Sequence, residues 1–151
     1  MNKKTLYIDM DGTLVEFRHK NSTVIKDWRD KKIFENKNIC NHLIGNIINF
    51  IKGSSDEIKE VYVITQVPET NFEIHCKHKR ESYHKIKEIF NGEGIALKDL
   101  IFVNSGNYND KVDFIIEKLD IKNSILIDDT HNLLSKFEEY GGTAFHISSF
   151  I

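Results

Sequence analysis

The sequence is poor in cysteine. Its two residues, Cys40 and Cys76, fall in unrelated segments. They cannot supply the disulfide framework of a small secreted domain, so two free thiols in a reducing cytoplasm are expected. An excess of one charge is also missing. Lys and Arg number 21 against 23 Asp and Glu, a formal net charge of −2. A dedicated nucleic-acid binder is usually strongly basic, so the balance argues against one while leaving room for a local basic groove. No apolar run approaches the length of a membrane span. Two lysines follow Met1-Asn2, but Thr5-Leu6-Tyr7-Ile8 then runs into Asp9, with no apolar segment of signal-peptide length. The expectation is therefore a cytoplasmic protein with no export signal. Internal repeats and low-complexity tracts are absent as well. What remains is a length suited to one domain, 1–151, with ordinary apolar content.

What the chain does have is a regular rhythm. Five runs rich in Ile, Val, Leu, Phe and Tyr predict strands at 5–9, 61–65, 100–104, 124–128 and 143–147. Most are continuously apolar rather than alternating, as in strands covered on both faces. Apolar residues recur at helical spacing between them. Ile39, Leu43, Ile44, Ile47, Ile48 and Ile51 form one stripe, stopped by Gly53, within a helix expected over 38–52. Tyr83, Ile86, Ile89 and Phe90 form a second, ending near Gly92, and Val112, Ile115, Ile116 and Leu119 a third. Leu133, Leu134, Phe137 and Tyr140 form a fourth, closed by Gly141-Gly142. Alternating strands and helices predict an α/β fold with a mainly parallel five-stranded sheet. Residues 14–37 break the rhythm. They are charged, with scattered aromatics, and are expected to form an insertion over the sheet edge.

Ligands of open α/β sheets bind beyond the carboxyl ends of the strands. Strand-end residues are therefore informative. The first strand leads into Asp9-Met10-Asp11-Gly12-Thr13, the second ends in Thr65 and the fourth in Asp128-Asp129, while Lys111 opens the helix after the third. Acids gathered on one rim repel and would not all stay ionised. A hard divalent cation resolves that conflict, and Mg²⁺ accepts a few carboxylate oxygens while keeping some waters. Such a cation implies an anionic substrate, most often a phosphate, for which Lys111 and the Thr65 hydroxyl supply donors. Alone, Asp128-Asp129 reads equally well as a cap for the helix after it, Thr65 as a strand residue and Lys111 as a surface lysine. Their convergence favours a site.

Asp9-Met10-Asp11-Gly12-Thr13-Leu14-Val15 resembles the first motif of the haloacid dehalogenase (HAD) superfamily, DxDGT(L/V) after an apolar strand. Thr65, Lys111 and Ile127-Asp128-Asp129 resemble its second, third and fourth motifs, in order, across almost the whole chain. The resemblance implies a Rossmann-like three-layer sandwich and a Mg²⁺-dependent phosphatase. In it, Asp9 attacks phosphorus and forms an aspartyl-phosphate, and Asp11 protonates the leaving oxygen and later helps deprotonate water. Thr65 and Lys111 hold the phosphoryl oxygens. The metal ligands implied are Asp9, the Asp11 carbonyl and one of the final pair, Asp129 being favoured as direct ligand and Asp128 as its partner. Lys98, Lys79 and Lys77 stand as alternatives to Lys111.

Residues 14–37 leave space for a short flap rather than a cap domain. The pattern is similar to that of small 5'(3')-deoxyribonucleotidase-like proteins, which usually carry a longer insertion here. A small phosphorylated metabolite or nucleotide is the expected substrate. Nucleic-acid 3' ends or phosphoproteins are alternatives. A non-catalytic phosphate-binding module is disfavoured by the intact Asp9/Asp11 pair. His75-Cys76-Lys77-His78 lacks a second pair at metal-ligand spacing and reads as an exposed polar helix start, with Lys79 or Arg80 as candidate substrate contacts. Phe17, Arg18, His19 and Trp28 either pack over the sheet edge or clamp a substrate. Cys40, His42 and His146 read as packing residues.

Overall fold

The computed structural model describes residues 3–16, 29–35 and 37–151. Phe17, Arg18, His19 and Trp28 lie outside them. Five strands form one sheet: β1 (Lys4–Asp9), β2 (Ile58–Val67), β3 (Leu97–Asn104), β4 (Ser124–Asp128) and β5 (Thr143–His146). Every pairing is parallel, in the order β3-β2-β1-β4-β5. The helices are α1 (Asn41–Gly53), α2 (Phe72–Gly92), α3 (Lys111–Lys118) and α4 (His131–Glu139). The α/β prediction and all five strand positions agree with this fold. β2 and β3 run longer than expected, and α1 begins three residues later than 38, with Asn41.

Side chains alternate across β1 and so feed two separate cores. Leu6 and Ile8 pack with Ile44, Ile47 and Ile48 of α1 and Ile86 and Phe90 of α2. Tyr7 faces the other way, into a cluster with Val112 and Ile115 of α3 and Leu134 and Phe137 of α4. Each fully buried Ile, Leu or Phe contributes about 1.5–3 kcal/mol. This two-sided burial explains why the strands read as continuously apolar. Among the described residues no helix is long and apolar enough to cross a membrane.

The order places a switch point at β1. The chain adds β2 and β3 on one side, then crosses to lay β4 and β5 on the other. At such a reversal the loops diverge and leave a crevice at the carboxyl ends. The insertion at 14–37 therefore leaves the sheet from its central strand. Its described part, 29–35, lies against α2: Phe34 is buried with its ring edge on His75, 5.1 Å between centroids, and Asn71 donates to the Arg29 carbonyl at 3.1 Å.

Candidate active site at the ends of β1, β2 and β4

Register builds the site. Ile8 pairs with Ile127, so the next residues, Asp9 and Asp128, emerge side by side. Beyond Asp9 the chain turns tightly: the Met10 carbonyl accepts N–H groups from Thr13, Leu14 and Val15 at 3.3, 2.9 and 3.0 Å. Gly12 takes φ +82 in this turn, a left-handed conformation that a side chain would strain. The turn brings the buried Thr13 hydroxyl back to Asp9 Oδ2 at 3.0 Å. Lys111 is delivered by α3, whose first turn is capped by Asp110 accepting from the Asp113 N–H at 2.9 Å.

Lys111 is the charge centre. Its ammonium is buried, donates to Asp9 Oδ1, and reaches Asp128 Oδ2 at 3.0 Å. Burial alone would push its pKa down, but these two acids raise it above the usual lysine value. Asp128 is held below the ordinary carboxylate range against its burial, by Lys111 and by the Thr130 N–H on its Oδ1 at 3.0 Å. Asp9 goes the other way. Burial, reinforced by Asp128 and Asp129, drives its pKa well up despite Lys111. Burial also raises Asp129.

A second lysine completes the site. Lys79, on α2, is almost wholly buried and uses its ammonium three times: on Asp11 Oδ2 at 2.6 Å, Thr65 Oγ1 at 2.5 Å and the Gln66 carbonyl at 3.1 Å. It also lies 4.0 Å from the Phe34 ring centroid, a cation–π contact. Burial lowers its pKa, with Asp11 opposing. In turn Asp11, whose burial would raise it, is held low chiefly by Lys79. Lys37 adds a weaker contact to Asp11 at 3.8 Å.

All six residues singled out for chemistry thus meet on one rim and, with Lys79 added, fall into two linked groups. Asp9, Asp128, Asp129 and Lys111 form one; Asp11, Thr65 and Lys79 form the other. Lys79 does not replace Lys111; both enter, while Lys77 and Lys98 are exposed. The exposed-start reading of 75–78 fails, since His75 and Cys76 are buried, His75 against Phe34 and the Arg29 carbonyl. A helix whose first turns bury polar side chains shows no apolar stripe there, so periodicity could not reveal it. His42 is exposed rather than packed. Thr13 belongs to the site although only its place in the DxDGT run marked it.

The acid cluster fits a hard cation. Asp9, Asp128 and Asp129 each place a carboxylate oxygen within 4.8 Å of the others. Lys111 balances one charge of three, and Asp9 and Asp129 are raised by burial first and by the neighbouring acids besides.

No family model matches the chain, and no curated protein does. Solved structures show the fold. D,D-heptose 1,7-bisphosphate phosphatase from Burkholderia thailandensis superposes with a TM-score of 0.53 at 14% identity, over 93% of this chain and 75% of that one. A HAD family enzyme from Bacteroides thetaiotaomicron, solved with magnesium and inorganic phosphate, gives 0.53 at 11% identity over 96% and 94%. A chain of a Pnkp1/Rnl/Hen1 complex gives 0.57 at 12% identity, over 95% of this chain but 46% of that one. These likenesses show a shared fold, an α/β sandwich around a parallel sheet.

Proposed function

We propose that the protein is a Mg²⁺-dependent phosphomonoester hydrolase with Asp9 as covalent nucleophile. One observation carries this: a buried carboxylate, Asp9, is held by Lys111 and Thr13 within 4.8 Å of two further acids, at a sheet switch point. Asp9 attacks phosphorus and the P–O bond to the leaving group breaks, giving an aspartyl-phosphate. Asp11 gives the leaving oxygen its proton, then takes one from the water that releases inorganic phosphate. Asp11 rests ionised against Lys79. When a phosphate enters and draws Lys79 onto its oxygens, Asp11 loses that partner and can carry the proton. Thr65, Lys79 and Lys111 stabilise phosphoryl charge. Asp9, the Asp11 carbonyl and Asp129 would hold Mg²⁺, which neutralises phosphoryl oxygens when bound. Asp128 has one oxygen on Lys111 and one on the Thr130 N–H, which supports Asp129 as the direct ligand.

Hydrolysis of an aryl phosphate that requires Mg²⁺ and stops with a chelator is the expected result; inert protein across a broad phosphate panel would favour a binding module. Lys79→Met should lower kcat/KM by about 10²–10³-fold, the range for losing one transition-state donor. Unchanged kinetics would leave Lys79 a structural residue.

Metal also couples to stability. Because Asp9 has a raised folded pKa, its contribution is present below the unfolded value of about 4 and is lost as pH rises through the folded one. Asp11 and Asp128 act oppositely, losing theirs only as pH falls below about 4. Metal-free protein should therefore lose stability from mildly acidic to neutral pH. Mg²⁺ at about 100 times its Kd should add about 2.7 kcal/mol. That is a Tm rise of about 5–10 °C at this length. Calorimetry with and without Mg²⁺ across pH checks both.

A 5'(3')-deoxyribonucleotidase is the favoured substrate reading, on the sequence resemblance. One feature favours nucleic-acid 3' ends: Arg29, Lys31 and Lys32, with Asp30, Thr70 and Asn71, line an open cavity of about 690 Å³ beside the start of α2. Deoxynucleoside monophosphates compared with 3'-phosphorylated oligonucleotides decide. A preference for the oligonucleotide that weakens steeply with salt would displace the nucleotidase reading.

A further inference from the structure

β5 ends in a histidine whose two ring nitrogens do opposite things. The Ser148 main-chain N–H donates to His146 Nδ1 at 3.1 Å, and the Ser148 hydroxyl lies 2.7 Å from the same atom. A ring nitrogen that accepts an N–H carries no proton, so the network assigns the proton to Nε2. That atom lies 3.1 Å from the Asp129 carbonyl oxygen and donates to it. The ring is further held by His131, stacked at 4.1 Å between centroids and 3° between planes. Strand register sets His146 beside Asp128. One side chain, fixed from several directions, thus grips the backbone of Asp129.

We propose that His146 is a positioning residue for the cation site: by holding the Asp129 carbonyl it aims the Asp129 carboxylate at the space shared with Asp9 and Asp128. The proposal rests on the reading of Asp129 as a metal ligand. The need for such a clamp is physical. Asp129 is only partly buried, and the Thr130 hydroxyl reaches its carboxylate at a loose 3.4 Å. Mg²⁺ tolerates little departure from octahedral geometry, so a misdirected carboxylate costs affinity. Groups that orient a ligand without touching the ion typically change metal affinity by about 10–100-fold. His146 lies outside every motif, which is why it read as a packing residue.

The test measures Mg²⁺ binding itself, by isothermal titration of the full chain stripped of metal. His146→Gln keeps an N–H where Nε2 stands, His146→Phe keeps the ring stack without the donor, and His146→Ala removes both. The Kd for Mg²⁺ should rise about 10–100-fold in the Phe and Ala proteins and stay near the parent in Gln. At saturating Mg²⁺, KM for an aryl phosphate should change little in any of them. Equal Mg²⁺ affinity in all four proteins overturns the proposal, as does equal loss in Gln and Phe. If metal-free His146→Phe fails to fold while His146→Gln folds, the role is structural and the proposal falls. A parent that binds no Mg²⁺ sinks the metal reading itself, a separate result visible before any variant is made.

Discussion

Asp9→Asn is expected to abolish phosphate-ester turnover, with kcat falling on the order of 10⁴–10⁶-fold, the scale on which enzymes lose activity with their nucleophile. The substitution keeps the shape and removes the attacking charge. It should not harm the fold. Asp9 is a buried acid whose ionisation is opposed by burial and by Asp128 and Asp129, so an amide relieves a cost. Lys111 retains Asp128 at 3.0 Å and can donate to the amide oxygen, while the Thr13 hydroxyl, which both donates and accepts, can take the amide N–H. The metal-free variant should therefore melt no lower than the parent. Steady-state rates on an aryl phosphate, with calorimetry alongside, check both halves. Turnover that survives in Asp9→Asn rules out the covalent route through this residue.

Lys111→Met should produce the largest loss of stability. Its ammonium is the cation between Asp9 and Asp128, both buried. Removing one partner of a buried ion pair costs about 3–5 kcal/mol, because the charge left behind is uncompensated. At this chain length that is a Tm lower by roughly 6–20 °C. The loss should shrink at acid pH, where the orphaned acids take up protons instead, and with added Mg²⁺, which substitutes for the missing charge. Lys118→Met is the control, since Lys118 is exposed and paired only loosely with Glu117 at 3.7 Å; a pair of that kind contributes little. An unchanged Tm in Lys111→Met would mean that the three acids do not share a buried field. Lys111 also faces the proposed phosphate position, so the variant should be inactive even where it remains folded.

The two results separate roles that the geometry entangles. Asp9 and Lys111 are in direct contact, yet one substitution should remove chemistry without stability and the other should remove both. The difference lies in sign: the cluster holds more negative charge than its lysine balances. A neutral residue in place of an acid therefore relaxes it, and a neutral residue in place of the cation strains it.

Much of the architecture was legible because it rests on local chemistry. A strand buried on both faces must be apolar throughout, and Leu6, Tyr7 and Ile8 divide between two cores for that reason. Lys111 was expected to open α3, and it does so just after Asp110, which caps the helix. Less legible were features made by distant segments. The start of α2 looks polar because its buried side chains are polar ones: His75 meets Phe34 and the Arg29 carbonyl, and Lys79 lies between the Phe34 ring and the end of β2. Apolar periodicity reports burial by apolar side chains and is blind to buried polar ones. His146 is likewise ordinary in sequence, and its partner Asp129 is 17 residues away.

The sequence by itself determined the alternation of strands and helices, the parallel sheet and the acids and donors at the strand ends, since each follows from side-chain character repeated at short range. Only the tertiary structure decided how those groups pair. The switch of strand order at β1 put Asp9 beside Asp128, and the packing of α2 between the end of β2 and Phe34 gave Asp11 and Thr65 a buried lysine of their own. Charge pairing depends on distances of a few ångströms between segments far apart in the chain, and such distances exist only once the chain has folded.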